Sequence, residues 1–362
     1  MKNIKDYVYK VNYDYISTKK NEKKRDKKYD HLSPQGRRYY FNDKIGEEIQ
    51  KMRDYLDKNT FIAYFVAPKM AGKGTYTRMI MEIIGEKYFA NISVGDVVRA
   101  AHADYEAKGN KSDTYLYVKD NYRGLMSVDE LFDTLVGRTA EKTLPTELIL
   151  SLIKKEIDQQ EHKSIFLDGF PRKADQVSYS LYFRDLIDYR NDPDIFVLIN
   201  IAMEVIDERI KTRRICPKCG NSRNLTLNPT SDIRYDEESK DFYLMCDNPS
   251  CEPTRLIPKE NDDKGIGIIE DRILTDLELA DMTRRMHGIT RIELYNCLDA
   301  DLALDYVDED ELTKVYSYEE VNGEVEINTE KFTIDDHGKK LYSLIPDPVV
   351  IQFIKQFVDI LL

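Results

Sequence analysis

Apolar residues along this chain gather into short continuous runs separated by longer amphipathic stretches. FIAYFVAP (61–68) is a run of strand length with no polar face, and FANIS (89–93), SIFLD (164–168) and DIFVLINI (194–201) repeat the signature. Helical sequence follows the first and the fourth, as TYTRMIMEIIGEK and MEVIDERIKTRR. Between Asp43 and Lys58, Ile45, Ile49, Met52 and Leu56 recur at helical spacing. Buried strands alternating with helices predict an α/β fold, a mainly parallel sheet with helices on both faces. Roughly 70 residues of helix-like sequence lie between the second and third strands, too many for a simple crossover, so they predict an inserted subdomain. Cys216 to Asn261, rich in polar and turn residues, predicts a second insertion. After Arg272 come a long helix, a strand at IELYNC (292–297) and acidic helical sequence. EEVNGEVEI then predicts a hairpin around Asn322–Gly323, and PVVIQFIKQFVDILL an amphipathic helix. No internal repeat is visible.

Composition narrows the function. The chain has 362 residues, of which 41% are hydrophobic, enough for a full core and more than one domain. A net charge of −12 argues against a general nucleic-acid binder, because most of the surface would repel a phosphate backbone. No apolar run approaches the roughly 20 residues of a membrane span, and the opening MKNIKDYVYKVNYDYI lacks the apolar segment of a signal peptide. Five cysteines, four of them clustered, do not make a secreted disulfide scaffold. A soluble, cytoplasmic protein is expected. Residues 1–44, with the basic tract TKKNEKKRDKK, read as a solvated, partly disordered tail, or as an arm touching RNA or a membrane surface.

Three runs carry chemistry. At the end of SIFLD the chain breaks at Gly169 and Pro171, presenting Asp168 and Arg172, with Gln176 about one helical turn further on. A carboxylate for Mg²⁺-bound water, an arginine fork for a phosphate and an amide that can read a base suit a nucleotide at a strand's carboxyl end. After FIAYFV, the run Ala67-Pro68-Lys69-Met70-Ala71-Gly72-Lys73-Gly74-Thr75 stands between a strand and a helix. Ala71, Gly72, Lys73, Gly74 and Thr75 meet the needs of a phosphate-binding loop: inward N–H groups, a lysine for the β/γ-phosphates and a helix N-terminus behind. Ala67 and Met70 stand where that loop usually has glycine, and a Cβ at positive φ costs about 1–2 kcal/mol. Cys216 and Cys219 (C-x2-C) with Cys246 and Cys251 (C-x4-C) offer four thiolates, the donor set of a tetrahedral structural Zn²⁺. Asp247 is an alternative fourth ligand, and Cys297 reads as a small buried residue.

The Asp168–Arg172 run resembles the Asp-Gly-Phe-Pro-Arg signature of nucleoside monophosphate kinases, specifically adenylate kinases of the zinc-knuckle lid type. Gly-Lys-Gly-Thr at 72–75 resembles their phosphate loop, and Ser93-Val94-Gly95-Asp96-Val97-Val98-Arg99 their Ser-x-Gly-Asp-x-x-Arg segment. Leu144-Pro145-Thr146-Glu147-Leu148 is similar to the stretch closing their acceptor pocket. Arg209 and Arg213, four apart on one helix face, resemble the two arginines that cover ATP, and Asp262-Asp263 with Arg272 the return from the lid. Glu260 stands where the family has an arginine, with Lys259 or Arg255 as substitutes, and Val94 where it often has threonine.

The resemblance, over roughly residues 60–300, implies a P-loop nucleoside triphosphate hydrolase-like sheet with acceptor-binding and lid insertions. The corresponding boundaries are an N-terminal extension and leading helix (1–58), a core (59–93, 153–213 and 262–362), an acceptor subdomain (94–152) and a zinc-binding lid (214–261). It implies ATP + AMP ⇌ 2 ADP by in-line transfer, with Mg²⁺ accompanying ATP and a structural Zn²⁺. Lys73, Arg172, Arg213, Arg272 and Asp168 would act in transfer, and Arg209 on ATP. Val94, Arg99, Arg172 and Gln176 would hold AMP. A monomer is expected, with nucleotides as partners and neither membrane nor nucleic acid. Two alternatives stand: a kinase for another nucleoside monophosphate, and a nucleotide-binding, zinc-stabilised adaptor without turnover.

Overall fold

Five of the apolar runs pair into one parallel sheet, and their order sets the relevant loops side by side. The computed structural model describes residues 11–19, 28–31, 33–137, 144–160, 162–173, 176–177, 192–248, 251–259, 262–336 and 338–362. Strands β1 (Ile62–Val66), β2 (Phe89–Ser93), β3 (Ser164–Asp168), β4 (Asp194–Asn200) and β5 (Thr290–Tyr295) lie in the order β5-β4-β1-β3-β2. All four pairings are parallel. Successive side chains on a strand point to opposite faces. Accordingly, Phe61, Ala63 and Phe65 join one core, while Ile62, Tyr64 and Val66 join the other.

Helices cover both faces. In chain order they are α1 (Pro34–Leu56), α2 (Lys73–Ile84), α3 (Val94–Lys108), α4 (Thr146–Asp158), α5 (Met203–Lys211), α6 (Glu270–Arg285) and α7 (Pro346–Leu361). Two short helices, Asp113–Asn121 and Val128–Val136, stand between α3 and α4 and complete the first insertion. Among the described residues no helix is long and apolar enough to cross a membrane.

Two expectations need correction. The described part of the N-terminal region is not a solvated tail. The helix beginning at Pro34, capped by Ser33, buries Tyr40 and Phe41. Ahead of it Ile16 is buried in the core and the Ser17 carbonyl accepts from Lys355 Nζ at 2.6 Å. Residues 20–27, most of the basic tract, lie outside the described residues. The final helix, amphipathic in sequence, is buried nearly all round and not on one stripe: Val349, Val350, Ile351, Phe353, Ile354 and Phe357 are all fully buried, and α1, α2, β5 and the segment at Tyr13–Ile16 all pack on it. Its Gln352 and Gln356 each accept from a backbone N–H of β5 (Tyr295 and Glu293, 2.8 and 2.9 Å) and donate back to the same residue's carbonyl (2.9 and 2.8 Å).

Past β5, strands Cys297–Asp299, Lys339–Ser343 and Thr333–Asp336 form a small antiparallel sheet. The hairpin at Asn322–Gly323 is present, with φ of 56° and 87° at its two turn residues. It reaches the second insertion: the Tyr316 N–H donates to the Thr226 carbonyl at 2.8 Å, and the Tyr318 hydroxyl to that of Leu225 at 2.5 Å.

The N-terminal region docks on this C-terminal unit through buried charge. Glu311, with no solvent exposure, accepts from Thr18 and from Tyr40 (2.5 Å each). His31 lies 3.0 Å from Asp347 and 3.5 Å from Asp310, with the Tyr40 ring against it. Burial alone would lower the imidazole pKa, but the hydrogen bonds and charges of Asp310 and Asp347 raise it from 6.5 to about 9. A raised pKa stabilises the fold fully below the unfolded value and stops doing so as pH climbs through the folded one. Melting temperature should therefore decline between pH 6.5 and 9, and His31→Gln should flatten that slope. Parallel pH profiles for the two proteins would refute the assignment.

Candidate functional site

The registers of β1, β2 and β3 bring three chain segments to one point. Asp168 pairs with Phe65 on one side and Ser93 on the other, so the loops leaving all three strands start together at the carboxyl edge of the sheet, where open α/β sheets bind ligands. The first loop wraps onto the N-terminus of α2. Gly72 takes φ 105°, and a Cβ there would stand 2.8 Å from the Tyr76 ring. Of the two missing glycines, Met70 does adopt positive φ (68°), so its strain is real, whereas Ala67 is not among the positive-φ residues. Lys73 Nζ donates to the carbonyls of Ala67 (2.8 Å) and Pro68 (3.2 Å) and lies 3.7 Å from Asp168. Burial lowers its pKa, and Asp168 and Asp276 work against that lowering.

On the acceptor side, α3 opens at Val94, which is buried. Arg99 and Arg172 flank Gly95: a Cβ there would lie 3.5 Å from one guanidinium and 3.9 Å from the other. Arg99 also pairs with Asp96. Gln176 is almost fully buried, accepts from the Arg172 N–H at 2.7 Å and donates to Thr146 Oγ1 at 3.3 Å. The Leu144–Leu148 stretch is thus brought to the same place through Thr146.

The second insertion leaves α5 and returns to α6. Arg209 donates to the Met70 carbonyl at 3.0 Å. Arg213 forms a two-pronged ion pair with Asp262, both arms 2.6 Å, and sets its other nitrogen 3.3 Å from Met70 Sδ. The strained Met70 thus touches both arginines. Arg272 is exposed on the first turn of α6, its charge acting on Lys73 and Lys69. Glu260 lies outside the described residues. Of its two substitutes, Arg255 is committed within the insertion, 2.6 Å from Asp236 and over the Tyr243 ring; Lys259 is not.

All four cysteines meet. Their sulfurs lie within 4.8 Å of one another, with Cys216 and Cys251 3.8 Å apart and Cys219 and Cys246 3.6 Å apart. Four sulfurs at 2.3 Å from a central ion stand about 3.8 Å apart, so the donor set and its spacing fit a tetrahedral metal. Burial, then the neighbouring thiols, push Cys251 up to about 12, while the backbone hydrogen bond from Asn221 draws Cys219 down to about 6. Asp247 is not the fourth ligand: Asn221 and Arg223 occupy its carboxylate.

Two residues escaped the sequence reading. Lys69 sits inside the phosphate loop, and Asp276 follows Arg272 by one helical turn, its carboxyl beside the Lys69 N–H. The first was legible as a cation in an anion-binding loop. The second had no local signal.

No protein-family model matches the chain. Among curated proteins it is similar to the adenylate kinase of Hydrogenobaculum sp. (strain Y04AAS1), 28% identical over 202 residues, which is 56% of this chain and 76% of that protein. It is 30% identical to the adenylate kinase of Thermotoga petrophila over 175 residues (48% of this chain, 68% of the relative). The adenylate kinase of Clostridium kluyveri is 30% identical over 184 residues (51% and 69%).

Proposed function

Because the chain belongs to the adenylate kinase family, we propose that it catalyses ATP + AMP ⇌ 2 ADP by in-line phosphoryl transfer. The coarser reading, a phosphotransferase acting on nucleotides, follows from the relatives. The finer one rests on one observation: a lysine and a carboxylate 3.7 Å apart, at the meeting of three sheet loops, with Arg99, Arg172, Arg209, Arg213 and Arg272 on the segments around them.

Phosphoryl transfer asks for positioning, charge neutralisation and exclusion of water more than for covalent chemistry. In this reading α2 and its loop (Ala71 to Thr75) hold the ATP phosphates and Lys73 follows charge onto the transferred group. Asp168 orients water on Mg²⁺. Arg99 and Arg172 grip the acceptor phosphate from two sides of Gly95, with Val94 and Gln176 beside the acceptor base. Arg209 covers the ATP base, and Arg213 and Arg272 meet the phosphates as the lid closes. The units are the acceptor subdomain (94–152), the lid (214–261) with Zn²⁺ on its four cysteines, the core around them and the extension at 1–58.

The test is a coupled assay with ATP and each monophosphate, with ADP titration alongside. Turnover with AMP supports the reading, and ADP binding without turnover would replace it by the adaptor. AMP is expected to outrun UMP, CMP and GMP. Gln176→Leu should erode the AMP-over-UMP ratio in kcat/KM, since each buried group left unpaired costs roughly 1–3 kcal/mol. The ratio is the useful readout because Gln176 also holds the Arg172 N–H, whose loosening weakens every acceptor alike. Val94→Thr should change the ratio far less. Equal kcat/KM for AMP and a pyrimidine monophosphate would shift the assignment to a broader kinase.

A further inference from the structure

Lys69, on the phosphate loop, and Lys259, at the end of the second insertion, stand near enough for each charge to act on the other. Lys69 belongs to the phosphate loop, next to Met70, whose sulfur touches Arg213. Arg213 is fixed to Asp262, and the Asp262 N–H donates to the Lys259 carbonyl at 3.1 Å. Lys259 directly follows the strand Ile257–Pro258, which pairs with Arg214 and Ile215 beside Arg213. A continuous line of contacts thus runs from Lys69 through Met70, Arg213 and Asp262 to Lys259.

The charges along that line do not balance. Asp262 is bound to Arg213, and among the described residues no carboxylate lies within 4.0 Å of either lysine ammonium. Burial, then the charges of Lys259, Arg213 and Arg272, hold the Lys69 ammonium below its ordinary range, and Asp262 offsets this in part. Like charges gathered without partners raise the energy of the bare protein, and a polyanion that binds there relieves it. Asp276 keeps the loop lysine in place from behind, its carboxyl beside the Lys69 N–H and its Oδ2 buried without a hydrogen-bond partner.

We propose that Lys69 and Lys259 close on the phosphate chain of bound ATP, one from the loop and one from the lid, supplying a grip additional to Lys73 and the arginines. This rests on the nucleotide reading above. It also assigns the charge that Glu260 fails to bring to these two lysines, each worth more once the lid shuts and water leaves. AMP, which occupies the other side of Asp168, does not meet them.

Isothermal titration of the full chain with Mg·ATP, ADP and AMP tests the proposal. K69M/K259M should weaken ATP binding about tenfold or more while AMP changes less than about twofold, as expected for lost charge-assisted contacts to one ligand. K69R/K259R should restore ATP binding, and added salt should weaken the wild type more steeply than the methionine variant. A methionine variant that binds ATP within about twofold of wild type, or that loses AMP equally, overturns the proposal. The comparison is separable from turnover. A wild type that binds ATP but phosphorylates no monophosphate refutes the kinase reading and leaves this test to decide on the lysines. A wild type that binds no ATP overturns both.

Discussion

Lys73→Met is expected to lower kcat by about 10²–10³-fold, the usual loss when one preorganised charge at a developing anion is removed. The reason is positional. Lys73 Nζ is held by the Ala67 and Pro68 carbonyls and faced by Asp168, so it waits at the rim of the loop rather than on a flexible stem in solvent. It acts on charge that grows as the phosphoryl group moves, so KM for ATP should change less than kcat. Melting temperature should change little, because methionine keeps most of the stem's volume and Asp168 is 41% exposed, free to find water. Steady-state kinetics and a thermal melt on the same preparation check both halves. Turnover near wild type in the variant would mean that the loop at 67–75 does not hold the reacting phosphates.

Metal removal is expected to have the second large effect. Among the described residues, the insertion between α5 and α6 has a core of its own whose buried members are Cys216, Leu244, Cys246 and Leu256, with Leu225, Ile233 and Cys251 against it. Two buried leucines are a small core for an insertion of this length, so a metal ion held by the four cysteines is expected to contribute a large share of its folding free energy. The purified protein should carry about one Zn²⁺ per chain, and chelation should lower the melting temperature and raise amide exchange across the insertion while β1 to β5 stay protected. Elemental analysis and hydrogen exchange decide it. A metal-free preparation with four titratable thiols, unchanged melting and full activity would sink the zinc assignment.

How much of this was readable in the sequence follows the physics of each element. The strands were legible because burial on both faces leaves unbroken apolar runs, and β2 and β3 have the predicted bounds. The hairpin was legible because Asn322 and Gly323 are the residues that tolerate positive φ. The cysteines and the Asp168–Arg172 loop were legible because their chemistry is written in local spacing. The docking of the N-terminal region was not. Its helix carries a residue with non-helical backbone, Ile45 at φ −141°, and the contacts that dock it run through Lys44 on the helix to Asp308 and Glu311, charges that sequence reads as surface. The role of Met70 was legible only as a defect. Its compensation, a carbonyl and a sulfur offered to Arg209 and Arg213, comes from residues some 140 positions away.

The two glutamines of α7 have a consequence for self-association. An outermost strand normally presents a row of unsatisfied N–H and C=O groups, which recruit a strand from another molecule. On β5, Gln352 and Gln356 occupy the N–H and C=O of Tyr295 and Glu293, so two side-chain amides imitate a sixth strand without exposing a new edge. As long as α7 stays in place, the backbone groups of Glu293 and Tyr295 are closed to a strand from a second copy of this chain, so extension of the sheet across this part of β5 is disfavoured.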